Sequence, residues 1–90
     1  MYNAIKTTRK RDINGNSFIT GIMQNMDTVY RHKQHVQYQY RIEDNHLMVA
    51  REVLHKAKLF SDDFSLLPAR LSDSEMIFTV IEDANDIEWN

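Results

Sequence analysis

Apolar and polar positions alternate strictly from Val36 to Ile42, where Val36, Tyr38, Tyr40 and Ile42 are separated by Gln37, Gln39 and Arg41. Period-two alternation in β-branched and aromatic residues predicts a half-buried strand over 36–42. The period then changes. Asp44 stands where an N-cap belongs, and Leu47, Ala50, Val53, Leu54, Ala57 and Phe60 recur at helical spacing, which predicts a helix over 46–60 with one wide apolar face. Lys56 and Lys58 suit the negative end of its dipole, and Ser61-Asp62-Asp63 ends it. Further on, Met76, Phe78 and Val80 alternate with Ile77, Thr79 and Ile81, so the strand predicted over 75–82 is apolar on both faces, as a central strand would be.

The N-terminal third is ambiguous by period. Asn14-Gly15 favours a two-residue type I′ turn joining strands near 5–13 and 16–24, in a register that sets Arg11 against Phe18, Arg9 against Thr20 and Thr7 against Ile22. A competing pattern makes Ser17 the N-cap of a helix with Ile19, Ile22, Met23, Met26 and Tyr30 on one face; Gly21 inside it would cost about 1 kcal/mol. Phe64, Leu66, Leu67 and Leu71 surround Pro68 and read as a loop folded over the core, with Ser72-Asp73-Ser74 as a second break. Taken together the elements predict an α+β class: a small antiparallel sheet of about four strands in the order βββαβ, with one main helix packed on one face.

Ninety residues suit a single domain, 1–90, burying about 60–65% of its unfolded surface around one core. Two Gly, one Pro and 42% apolar residues fit a folded chain without a flexible linker. No Cys is present, so neither disulfides nor thiolate ligands are available and a reducing compartment fits. The start MYNAIKTTRKRD has charge without an apolar stretch after it, and the longest apolar runs, Leu47–Ala50 and Met76–Phe78, are far too short to span a bilayer. A cytoplasmic location with no membrane contact is therefore expected.

Charge adds what periodicity does not. Residues 1–60 carry a net +5 with all four His, and residues 61–90 a net −7. Such a dipole attracts phosphate at one end and repels it at the other.

Catalytic and metal signatures are weak. His32 and His35 are three apart in extended chain and point to opposite faces, and His46 and His55 lie on different faces of the helix, so no metal site is expected. His46 falls on the apolar side, where a packed, hydrogen-bonded role is the plainer one. Glu43-Asp44 precedes the helix, where carboxylates cap backbone N–H groups rather than perform acid–base chemistry. A metal-dependent nuclease of the common strand type wants a Lys two residues after its carboxylate, and none occurs beyond Lys58. None of Ser17, Ser61, Ser65, Ser72 or Ser74 lies in a nucleophile elbow, and no Gly-rich phosphate loop occurs. No catalytic residue, metal or cofactor is expected.

Two constellations remain. Arg9, Lys10, Arg11, Arg31, Lys33 and Arg41, with Tyr30, Tyr38 and Tyr40, supply cations and rings for phosphate contact and base stacking, unless the tyrosines are core and the cations a solvated edge. On the helix, Arg51, His55 and Lys58 form a basic stripe with Met48 and Leu59, a mixture suited to protein contact. In the acidic end, Ile87 and Trp89 share one side of an extended segment, leaving Asp86 and Glu88 on the other near Asp83. The expected function is a small non-enzymatic binding protein acting as an inhibitor or adaptor, as phage-type inhibitors of host or defence complexes do. It would work through Met48, Arg51, His55, Lys58, Leu59, Asp83, Asp86 and Glu88 on a protein partner. Nucleic-acid binding through the basic half is the alternative.

Overall fold

The computed structural model describes residues 3–25, 27–57 and 64–82. Strands β1 (Asn3–Arg11), β2 (Ser17–Asn25) and β3 (Thr28–His35) precede helix α1 (Ile42–Lys56), and strands β4 (Phe64–Arg70) and β5 (Glu75–Glu82) follow. The α+β class is as expected, with five strands in place of four. All pairings are antiparallel and the sheet runs β3-β2-β1-β5-β4, so β5 is an interior strand paired on both sides, as its two apolar faces imply.

The first hairpin forms, with a different register. Asp12 and Asn16 close it around Ile13, Asn14 and Gly15: the Asp12 N–H donates to Asn16 O at 2.9 Å and the Gly15 N–H to Asp12 O at 3.0 Å. Gly15 takes φ of 83°, and the Asp12 carboxylate accepts the N–H groups of Asn14 and Asn16, each at 2.9 Å. Those bonds, Asn16 first, hold its pKa below the ordinary carboxylate value. A three-residue loop of this kind shifts the pairing by one, so Thr7 lies opposite Gly21, Arg9 opposite Ile19 and Arg11 opposite Ser17. That shift exchanges the faces of β2, placing Ile19, Gly21 and Met23 under the helix. Residues 17–25 are thus strand, not the helix that the competing pattern allowed.

Two further expectations are corrected. The strand expected over Val36–Ile42 ends before it begins: β3 occupies Thr28–His35, and Tyr38 and Tyr40 are exposed in a loop. The physical reason is pairing. β2 starts at Ser17, whose carbonyl accepts the Val36 N–H at 3.0 Å, so residues 37–41 have no strand beside them. They are held by the buried Asn45 instead. Its Oδ1 accepts the Gln37 N–H at 2.7 Å, while its Nδ2 donates to the carbonyls of Gln37 at 3.0 Å and Arg41 at 2.9 Å. The segment around Pro68, expected as a loop, is edge strand β4, where a residue lacking an N–H is tolerated because only one side of the strand pairs.

Helix α1 begins at Ile42 rather than His46. Its N-cap is Arg41, with no side-chain capping bond, and Asp44 lies with Glu43 in the first turn, where both favour the dipole. The helix crosses β1, β2 and β3. Its inner face is Val49, Ala50, Val53 and Leu54, all buried; Ala50, Val53 and Leu54 pack with Ile5, Met23, Met76, Phe78 and Val80, and Tyr30, Leu47, Ala57 and Leu66 border that core. Gly21 permits the close approach, since a Cβ there would lie 2.7 Å from Val49 Cγ1 and 2.9 Å from Val53 Cγ2. Phe60 lies outside the described residues. No helix among the described residues is long and apolar enough to cross a membrane.

Candidate functional site

The helix covers one face of the sheet, and no described element covers the other. The observed register decides what this open face carries. Lys6, Thr8 and Lys10 alternate outward along β1, and Arg31, Lys33 and His35 along β3. Between them β2 presents Phe18, Thr20 and Ile22, giving the cross-strand rows Lys6–Ile22–Arg31, Thr8–Thr20–Lys33 and Lys10–Phe18–His35. Two cationic rails therefore flank a floor of apolar and hydroxyl side chains. The groove between them encloses about 620 Å³ and is lined by Lys6, Lys10, Ile22, Arg31 and Lys33.

Local contacts fix some of these cations. Lys33 Nζ lies 4.3 Å from the centroid of the Phe18 ring, a cation–π contact that holds it across the floor. Lys56, at the end of α1, donates to the Arg31 carbonyl at 2.8 Å and ties the helix to the β3 edge. Lys6 pairs with Glu75 at 2.9 Å, and that hydrogen bond and charge lower the Glu75 pKa. Glu75 is the one carboxylate on this face among the described strand residues, so the rails keep a net positive charge.

Of the six cations expected for nucleic acid, the fold brings Lys10, Arg31 and Lys33 together. Arg9, adjacent to Lys10, faces the helix side of the sheet, as strand alternation requires, and lines a small cleft of about 160 Å³ with Tyr38, Tyr40 and Ile42. Arg11 ends β1, opposite Ser17. Arg41 stands before the helix, 3.7 Å from Glu43, which also binds Arg70 at 3.2 Å. The tyrosines divide likewise: Tyr30 borders the core, while Tyr38 and Tyr40 are 79% and 49% exposed. Lys6 was missed by sequence reasoning, although Lys6-x-Thr8-x-Lys10 is itself a period-two signal.

On the outer side of α1, Arg51 and His55 are exposed and Met48 is half-buried, 4.0 Å from the Gln34 amide nitrogen. Lys58, Leu59, Asp83, Asp86 and Glu88 lie outside the described residues, as do Ile87 and Trp89. His46 has the packed place expected of it. It is 2% exposed, and its Nδ1 lies 2.6 Å from Thr7 Oγ1, which is also 3.4 Å from the Met76 carbonyl. Burial first, and then Arg9, push its pKa below the ordinary value, with Glu43 opposing. The ring is thus packed between helix and sheet and held by Thr7. Among the described residues no three His, Asp or Glu gather in a geometry that could hold a metal ion. No protein-family model, curated protein or solved structure matches this chain.

Proposed function

We propose that this protein is a non-enzymatic binding module whose working surface is the open face of the sheet, where it holds a polyanionic partner. One observation carries this: Lys10, Arg31 and Lys33, with Lys6, converge on a groove that no described element covers and that has Glu75 as its only strand carboxylate among the described residues. Cations on rigid strands are pre-positioned, so an anion meets them at little ordering cost, and their combined field steers association. A cytoplasmic setting belongs to the same proposal. The test is affinity capture from native lysate with and without nuclease, using the protein and its Lys10→Glu/Lys33→Glu variant. Capture that the double reversal abolishes supports the proposal; capture unaffected by it refutes the assignment of this face.

A second reading keeps the inhibitor or adaptor, phage-type inhibitors among them, and places a protein partner on the outer face of α1. It is favoured by Met48 lying half-exposed beside Arg51 and His55, an apolar group among cations. Under it, Arg51→Glu with His55→Glu abolishes capture and nuclease does not. Reversing Asp83, Asp86 and Glu88 to Lys then weakens capture if the acidic end takes part, whereas a polyanion on the open face binds that variant more tightly.

A further inference from the structure

We infer that the occupant of the open face is a single strand of nucleic acid laid along β2, an inference that rests on the polyanion reading of the same face. Three features of the groove select this class. The first is width. The rails on β1 and β3 are separated by two strand spacings, about 10 Å. A duplex, whose major groove alone is about 12 Å across, rides over both rails, whereas one extended strand lies between them. The second is the floor. Ile22 is 40% exposed and Phe18 half-buried, with Thr20 between them, so bases find apolar and ring surface that tolerates any sequence. The third is the kind of cation. With Lys56 at the rim, four of the five Lys and Arg that line the groove are lysines, which protein interfaces disfavour and phosphate contacts use freely.

The spacing is consistent with this. Arg31 and Lys33 are two residues apart on β3, about 7 Å, and Lys6 and Lys10 four apart on β1, about 13 Å, so both rails offer cations in step with an extended phosphate chain. Lys33 has a double role. Its ammonium rests over the Phe18 ring at 4.3 Å, and a phosphate that draws it away frees that face of the ring for a base. Lys6 contributes least, because Glu75 already neutralises it at 2.9 Å.

The experiment is fluorescence anisotropy with a labelled 15-nucleotide oligo-dT, the matching dT·dA duplex, and heparin and poly-glutamate as competitors, with far-UV circular dichroism to show that each variant is folded. Three to four phosphate contacts on a single strand give a log–log salt slope of about −2 to −3, so raising salt from 50 to 200 mM weakens binding about 16- to 64-fold. Lys10→Glu with Lys33→Glu abolishes binding. Phe18→Leu, which keeps apolar volume but removes the ring, weakens oligo-dT severalfold and leaves heparin binding unchanged; Ile22→Ser, at a more exposed position, reads out the floor if Phe18→Leu fails to fold. Duplex binding as tight as oligo-dT overturns the inference, as does insensitivity to both floor variants, and either outcome leaves the polyanion reading standing. Poly-glutamate binding without oligo-dT binding identifies an acidic protein segment and likewise overturns it. If none of these polyanions binds, the inference and the polyanion reading both fall, and capture by the outer helix face decides what remains.

Discussion

Gly21→Ala tests the architecture at its tightest point. A methyl added there lies 2.7 Å from Val49 Cγ1 and 2.9 Å from Val53 Cγ2, while the Thr7 methyl at 3.6 Å is in ordinary contact. Carbon atoms settle at about 3.5–4.0 Å, so helix and sheet must part by several tenths of an ångström or the valines must rotate. Rotation is restricted, because valine in a helix holds one χ1 rotamer in about 90% of cases. Overpacking of this size costs about 1–3 kcal/mol. The reduced freedom of the unfolded chain offsets about 0.4–1 kcal/mol of that.

The expected net loss is therefore about 1–2 kcal/mol. At about 4–8 °C per kcal/mol for a domain of this length, Tm falls by roughly 5–15 °C. Differential scanning calorimetry measures the fall. The mechanism is isolated by a double-mutant cycle, since Val49→Ala removes the nearer methyl and Gly21→Ala should cost clearly less in that background, with a coupling of about 0.5–3 kcal/mol. An unchanged or raised Tm in the single variant, or an equal loss in both backgrounds, refutes the claim that helix contact is why position 21 is glycine.

Leu54→Ala removes a side chain that is 6% exposed between helix and sheet and should cost about 2–5 kcal/mol by urea titration, enough to unfold a domain of marginal stability. Asn45→Ala leaves the N–H of Gln37 without its acceptor and takes one donor each from the carbonyls of Gln37 and Arg41, which keep the N–H groups of Tyr40 and Asn45; a loss of about 1–3 kcal/mol is expected, with faster amide exchange confined to residues 37–41. His46 titrates lower folded than unfolded, so the unfolded chain takes up the proton first: its contribution is complete above the ordinary value of 6.5 and is lost as pH falls below it toward the depressed folded value. Tm measured from pH 7.5 to 5 should decline for the native chain and decline less for His46→Asn. Equal slopes in the two proteins would show that His46 is not the group responsible.

The sequence made the helix and the interior strand β5 legible because each is defined by a period that burial enforces. Val49 escaped the expected helix face, yet it is fully buried, because the bare backbone of Gly21 admits the helix edge on which it lies. Edge strands were harder to see. β3 pairs on one side only and carries Arg31, Lys33 and polar residues on both faces, while β4 contains Pro68; both devices protect an edge and both erase the apolar alternation that marks a strand. The run Val36–Ile42, exposed at residues 38–41, kept that alternation without a strand partner. The loop register is encoded in a local turn signal. Asp12-Ile13-Asn14-Gly15 has Asp at the first and Gly at the fourth position of a type I turn, which competes with the two-residue Asn-Gly turn and prevails once the Asp12 carboxylate accepts two N–H groups. For the candidate site, the triplet Arg9-Lys10-Arg11 resembled one patch in one dimension, whereas alternation along β1 divides it between two faces.

The same loop links fold and site. β1, β2 and β3 are consecutive both in sequence and across the sheet, so the basic strands stay together, and they meet the acidic half along the β1–β5 ladder, where Lys6 pairs with Glu75. Within that half β2 has two assignments: one face seats the helix and the other is the floor of the groove. Which residues take which role is decided by three residues at 13–15. With a two-residue loop, Ile22 would oppose Thr7 and turn toward the helix, where only the bare backbone of Gly21 leaves room for Val49 and Val53. Ile19 and Met23 would then lie between the cationic rails, and Phe18 and Ile22 would turn inward in their place, with Ile22 against Val49 and Val53 where no side chain fits. The packing that excludes that register is thus also what puts Phe18, Thr20 and Ile22 between Lys10 and Lys33, so the groove is a consequence of how the core closes rather than an addition to it.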